Sequence, residues 1–155
     1  MTPLSFTIPG APRGKGRPRA TRFGKGVRLY TDAKTASYEG LVALAAQTAL
    51  AGRDPMSGPL CMSVLVKLAV PQSASRKARE AMLSGAQPPA KKPDLDNVVK
   101  AVLDGCNGVA FADDAQVCWI NAGKIYAERP GVDVIISSDR IAAGHVDPAQ
   151  ALEAA

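Results

Sequence analysis

Leu4, Phe6 and Ile8 alternate with Ser5 and Thr7, and a period of two puts the three apolar side chains on one face of a short strand that Pro9 and Gly10 end. The same period returns, longer and cleaner, at Met62, Val64, Val66, Leu68 and Val70, with Pro71 closing the run. Between them the pattern changes twice. Residues 11–31 are rich in Gly, Pro and Arg and have no apolar period, which predicts an arm that orders on binding, with a short extended turn near Val27 to Tyr30. From Asp32 to Ala51 the spacing becomes helical: Tyr38, Leu41, Val42, Leu44, Ala45 and Leu50 form an apolar stripe, and Asp32 is placed to cap the first turn.

Downstream, Ser73 to Leu83 reads as a short polar helix, and the prolines at 88, 89 and 93 keep residues 85–93 a loop. Leu95 to Cys106 is a helix whose buried face is Val98, Val99, Val102, Leu103 and Cys106, with Gly105 and Gly108 loosening its end. Gln116 to Tyr126 and Val132 to Ser137 are expected as a β-hairpin turning at Arg129, Pro130 and Gly131. Helices and strands do not alternate regularly. The pattern therefore predicts an α+β fold, a small mixed or antiparallel sheet of about four strands packed against helices. At 155 residues this is one domain, expected over residues 1–140 with a basic arm at 9–31, followed by a flexible Ala-rich tail at 141–155 that holds the lone His145.

Charge sharpens this picture. The net charge is +5, but residues 11–34 hold Arg13, Lys15, Arg17, Arg19, Arg22, Lys25, Arg28 and Lys34 against Asp32 alone. A basic, Gly- and Pro-interleaved arm without an acid between Pro9 and Thr31 favours nucleic acid over a plain solvated linker. Cys61, Cys106 and Cys118 form no CxxC pair and each sits in an apolar run, the usage of a reducing compartment. The start lacks the basic and long apolar regions of a signal peptide, and no stretch approaches the roughly 20 apolar residues of a membrane span. A cytoplasmic protein is expected. Trp119 is read as a packed strand residue.

The candidate chemistry lies in two acidic segments. In Pro93-Asp94-Leu95-Asp96-Asn97-Val98-Val99-Lys100, Asp94 falls at the helix start, Asp96 in its first turn, and Lys100 four residues on along the same face. Asp113 and Asp114 precede the strand that starts at Gln116. Carboxylates from a helix start and a strand start are expected to converge on one or two Mg²⁺ ions, because this hard cation takes a few carboxylates together with phosphate oxygens and water. Lys100 is then placed to neutralise charge developing on a phosphoryl group. These residues also have ordinary structural uses: Asp94 as a helix cap, Asp96 and Lys100 as a surface pair, Asp113 and Asp114 as a solvated turn. Spacing alone leaves both readings open.

The run Pro93 to Asp104, then Asn107-Gly108, then Asp113-Asp114-Ala115-Gln116-Val117 closely resembles the RusA family of Holliday-junction resolvases. Phe6 to Gly10, Lys15-Gly16-Arg17-Pro18-Arg19, Tyr30-Thr31 and Lys34-Thr35 extend the resemblance over about residues 4–138. It implies a RusA-like fold and a homodimeric, Mg²⁺-dependent endonuclease, with Mn²⁺ as a substitute ion, that nicks a four-way DNA junction symmetrically in recombination and repair. Such proteins are often encoded by phages. Matching motif positions gives Asp94, Asp96 and Asp114 as metal-binding carboxylates, Asp113 as their neighbour and Lys100 as a catalytic lysine. Arg13, Lys15, Arg17, Arg19, Lys91 and Lys92 are the expected DNA contacts. Pro93 stands where some members carry a DNA-binding arginine, so Lys91 and Lys92 are the candidates to reach the same phosphates. A binding protein for branched DNA without catalysis, of prophage origin, is the alternative.

Overall fold

The structure is a computed structural model that describes residues 2–17, 19–30 and 32–138. The expected tail, with His145, lies outside the described residues. The elements, in order, are strands β1 (Leu4–Pro9), β2 (Arg19–Phe23) and β3 (Gly26–Tyr30), helix α1 (Ala33–Leu50), strand β4 (Leu60–Ala69), helices α2 (Arg76–Leu83) and α3 (Leu95–Cys106), a 3-10 turn (Asp114–Gln116), and strands β5 (Val117–Ala127) and β6 (Gly131–Ser137). Four strands form one mixed sheet in the order β1-β6-β4-β5, and β2 pairs with β3 alone. The α+β class is as expected.

Alternation builds the sheet's inner face in rows. Leu4, Ile136, Met62 and Ile120 lie in register across the four strands, followed by Phe6, Val134, Val64 and Ala122, then Ile8, Val132, Val66 and Lys124. Helices α1 and α3 cover this face, burying Val42 and Ala46 from the first and Val98, Ala101, Val102 and Cys106 from the second. The opposite face carries a polar ladder. Asp133 accepts from the Thr7 hydroxyl at 2.8 Å and from the Lys67 ammonium at 2.8 Å, joining β1, β6 and β4.

The expected β5–β6 hairpin does not form. The residues that join the two strands, 128–130, step over the end of β4, so Lys67 faces Ile125 of parallel β5 on one side and Gly131 of antiparallel β6 on the other. The cause is the burial pattern of β4. Leu60, Cys61, Met62, Val64, Val66 and Leu68 are all buried, and a strand so thoroughly covered belongs in the middle of a sheet, with both edges paired.

The helices also refine the sequence reading. Side chains at 38, 42, 46 and 50 form the buried row of α1, while Leu44, expected in the stripe, is 60% exposed. Apolar residues occur all round this helix, so spacing alone did not select the face. Gly105 does not loosen α3. It is buried where α1 crosses, and a Cβ there would sit 2.6 Å from the Val42 Cβ and 2.8 Å from the Glu39 carbonyl oxygen. Cys118 is exposed, unlike buried Cys61 and Cys106, and Trp119 on edge strand β5 is 48% exposed rather than packed in the core. Burial pushes the Cys106 thiol up to about 12, so it stays protonated at neutral pH.

Candidate metal and DNA site

Helix α3 organises both acidic segments. Its N-terminus is held over the sheet by Lys124, an inner-face residue of β5, whose ammonium donates to the carbonyls of Lys91 at 2.8 Å and Pro93 at 3.2 Å. Asp94 occupies the N-cap position, but its side chain does not cap. By contrast Asp32 and Ser75 at the other two helix starts both accept from a first-turn amide. The Asp94 carboxylate instead meets the amide of Asn97, 3.4 Å away. Asp96 and Lys100 are exposed and, among the described residues, make no ion pair with each other or with another residue. The geometry leaves the structural uses of these three residues unfilled.

The second acidic pair divides its labour. Asp113 caps the 3-10 turn, accepting from the Ala115 amide at 2.8 Å, while Asp114 is exposed and has no cap to make. Gln116, whose role the sequence reading left unassigned, fastens this turn. Its carbonyl accepts from the amides of Ala112 and Asp113, and its amide donates to the carbonyls of Met56 and Gly58.

Within one chain the two acidic groups do not meet, contrary to the expected convergence. Asp94 begins α3, and the turn bearing Asp114 follows its far end, where the Gly108 amide bonds the Phe111 carbonyl. The helix has 12 residues, a length of about 18 Å at 1.5 Å per residue. The sheet gives the same answer: Lys124 at the Asp94 end and Val117 at the Asp114 end are seven residues apart on β5, roughly 23 Å of strand. Among the described residues no group of three acidic, His or Cys side chains is close enough to hold a metal ion.

Residues 11–17 are not the free arm expected from their composition. They run beside α3, where the Lys15 amide donates to the Asn97 carbonyl at 2.8 Å and Gly14 lies so close that a Cβ would sit 2.9 Å from the Asn97 Cβ. Lys15 is turned inward. Its ammonium hydrogen-bonds Asp104 and lies 3.6 Å from Glu39, tying the segment to α3 and α1 together. The hydrogen bond to Asp104 raises the Lys15 pKa from its usual 10.5, burial opposes this, and the charges of Asp104 and Glu39 add to it. A raised value means stability that is complete below 10.5 and lost only as pH climbs through the higher folded value. Lys15→Met should therefore cost about 1–2 kcal/mol, discounted for partial exposure, and lower Tm by roughly 2–8 °C. Thermal melts should show that gap unchanged from neutral pH upward and narrowing only above 10.5.

Between this segment, the start of α1 and the start of α3 lies an open cleft of about 540 Å³, lined by Arg13, Lys34, Lys92, Asp94 and Asn97 among others. Of the expected DNA contacts, Arg13, Lys15 and Lys92 line it, Lys15 with its ammonium held by Asp104, and Arg17 is exposed. The Lys91 ammonium sits over the Tyr126 ring at 5.5 Å from its centre. The side chain of Arg19 lies outside the described set. Lys34 was missed as a site residue, although it belongs to the basic run that pointed here.

The donor set suits a hard cation. Asp94 and Asp96 are exposed carboxylates on one helix turn, and Mg²⁺ commonly takes one or two such oxygens and completes its shell with phosphate and water. No helix among the described residues is long and apolar enough to cross a membrane. Compared with known proteins, residues 9–137 match the family described as Endodeoxyribonuclease RusA. The chain is also 37% identical over 139 residues to the uncharacterized protein YqaN of Bacillus subtilis (strain 168), an alignment covering 88% of this chain and 96% of that one. A match of that extent, carried through both acidic segments and the basic stretch, places the chain in the RusA family of endodeoxyribonucleases.

Proposed function

We propose that this chain is a Mg²⁺-dependent, structure-specific endodeoxyribonuclease that resolves four-way DNA junctions by paired symmetric nicks and works as a homodimer. The observation that carries this reading is Asp94, a helix-start aspartate that declines its cap and faces a cleft rich in cations. Asp94 and Asp96 would hold the ion, and Asn97 keeps the Asp94 carboxylate turned to the cleft. Bound Mg²⁺, or Mn²⁺ in its place, supplies charge that polarises the scissile phosphate and acidifies water. Arg13, Lys34 and Lys92 grip flanking phosphates, and Lys100 offers an ammonium to charge developing on the phosphoryl oxygens.

Asp114 enters through symmetry. A helix length separates it from Asp94 in its own chain, so it completes a site only if it comes from a second copy, and a two-fold dimer would then carry two shared sites. Two symmetric sites suit two symmetric cuts. The test is a labelled four-way junction against linear duplex of the same sequence, with and without Mg²⁺. Paired nicks in the junction alone, abolished by chelation and restored by Mg²⁺ or Mn²⁺, are expected. Tight junction binding without cleavage under any divalent ion would instead favour a non-catalytic branched-DNA binder.

A further inference from the structure

Among the described residues the β2–β3 ribbon makes little contact with the rest of the chain. Its strands pair with each other and pack hardly at all on the other elements, and every residue of β3 is exposed. An isolated two-stranded hairpin is marginal in water, so a free ribbon needs a reason to be displayed. Its register sorts its side chains. Ala20 faces Leu29 and Arg22 faces Val27 on one surface, while Thr21 faces Arg28 on the other. Val27 and Leu29 are 69% and 67% exposed, side by side at the i, i+2 spacing of a strand. Arg22 shares the surface of this aliphatic pair, Lys25 lies in the turn beside it and Arg28 points to the other surface, and no acidic residue occurs between Pro9 and Thr31.

That combination selects its partner by chemistry. A ribbon whose charges are all positive complements a polyanion, and a two-stranded ribbon has the width that the DNA major groove admits. Aliphatic side chains displayed among cations are the wedge with which proteins occupy gaps between unstacked bases. A branch point offers base faces that have lost a stacking neighbour, which continuous duplex does not. We propose that the β2–β3 ribbon is a second DNA-contacting element, apart from the cleft at α3, that lays Val27 and Leu29 on the open base faces of a branch point while Arg22, Lys25 and Arg28 hold the flanking phosphates. This rests on the branched-DNA reading above.

The experiment uses the full chain carrying Asp96→Asn, with a junction bearing 2-aminopurine beside the branch point. Binding by this parent should raise the probe's fluorescence. Adding Val27→Thr and Leu29→Thr, which keep strand propensity, should remove most of that rise. Adding Arg22→Gln, Lys25→Gln and Arg28→Gln should weaken binding at least about tenfold and flatten the plot of log affinity against log salt by about 2–3, near 0.9 for each phosphate no longer neutralised. The ribbon packs on so little that unchanged melting is expected for both variants. Fluorescence and affinity equal to the parent's would overturn the assignment, as would no fluorescence rise from a parent that binds. A shift from dimer to monomer in light scattering on changing Val27 and Leu29 would also overturn it, because the pair would then contact a second copy. A parent that binds no DNA at all would strike the nuclease reading itself.

Discussion

Asp96→Asn is expected to leave junction binding intact and to lower cleavage about 10³-fold, ~4 kcal/mol of barrier. The substitution keeps shape and removes charge. Asp96 is exposed on the first turn of α3 and makes no ion pair among the described residues, so no ion pair of the fold is broken by neutralising its carboxylate. Were it merely a surface partner for Lys100, the loss would be about 0.3–0.5 kcal/mol of stability with cleavage unchanged. The two outcomes differ by orders of magnitude in rate. Single-turnover cleavage of an end-labelled junction, beside a gel-shift measurement of binding, separates them, and cutting at the parental rate would remove Asp96 from the site.

The sequence announced much of this and misled in places, for reasons that can be named. Strand β4 was plain because five apolar residues at period two leave no competing helical face. Its central place was not plain, because periodicity describes one strand while strand order depends on how both of its edges are paired; the expected hairpin failed there. The stripe on α1 blurred because apolar residues occur all round the helix, and Leu44 proved exposed. Composition made residues 11–17 look like a loose arm, since Gly and Pro hide a contact such as Gly14 against Asn97 that only the fold creates. Lys15 shows the same limit. Its charge counted toward a DNA-binding surface, yet Asp104, 89 residues away, takes it.

The acidic residues were legible as types and motifs but not as a place. The helix between Asp94 and Asp114 was read from the sequence, but its consequence was not: its full length is a spacer that holds the two ends apart and leaves Asp114 at the far one. Nor does the spacing of the acids reveal that Asp113 serves as a cap while its neighbour does not. Local chemistry can be read along the chain; the distance between two local features depends on the elements that join them.

That spacer supplies the second large effect. If each site joins Asp94 and Asp96 of one copy to Asp114 of the other, two inactive proteins should repair each other. Asp96→Asn and Asp114→Asn chains are each expected to be inactive alone. In a mixed dimer one site receives both substitutions, and the other receives the intact Asp94 and Asp96 of the Asp114→Asn chain and the intact Asp114 of the Asp96→Asn chain. Random pairing of equal amounts makes half the dimers mixed, with one of two sites intact, so cleavage should recover to about a quarter of the parental site number. The product should change as well: a mixed dimer makes one nick where the parent makes two, so nicked junctions accumulate in place of resolved duplexes. Sharing of all three carboxylates within one chain predicts no recovery at any mixing ratio. That outcome would require the 18 Å between the ends of α3 to be closed by a rearrangement of the chain, roughly 1.5 Å for each of its 12 residues. Co-expression of differently tagged chains, purification through both tags, which leaves only mixed dimers and so raises the expected recovery to about half, and a junction assay decide between the two.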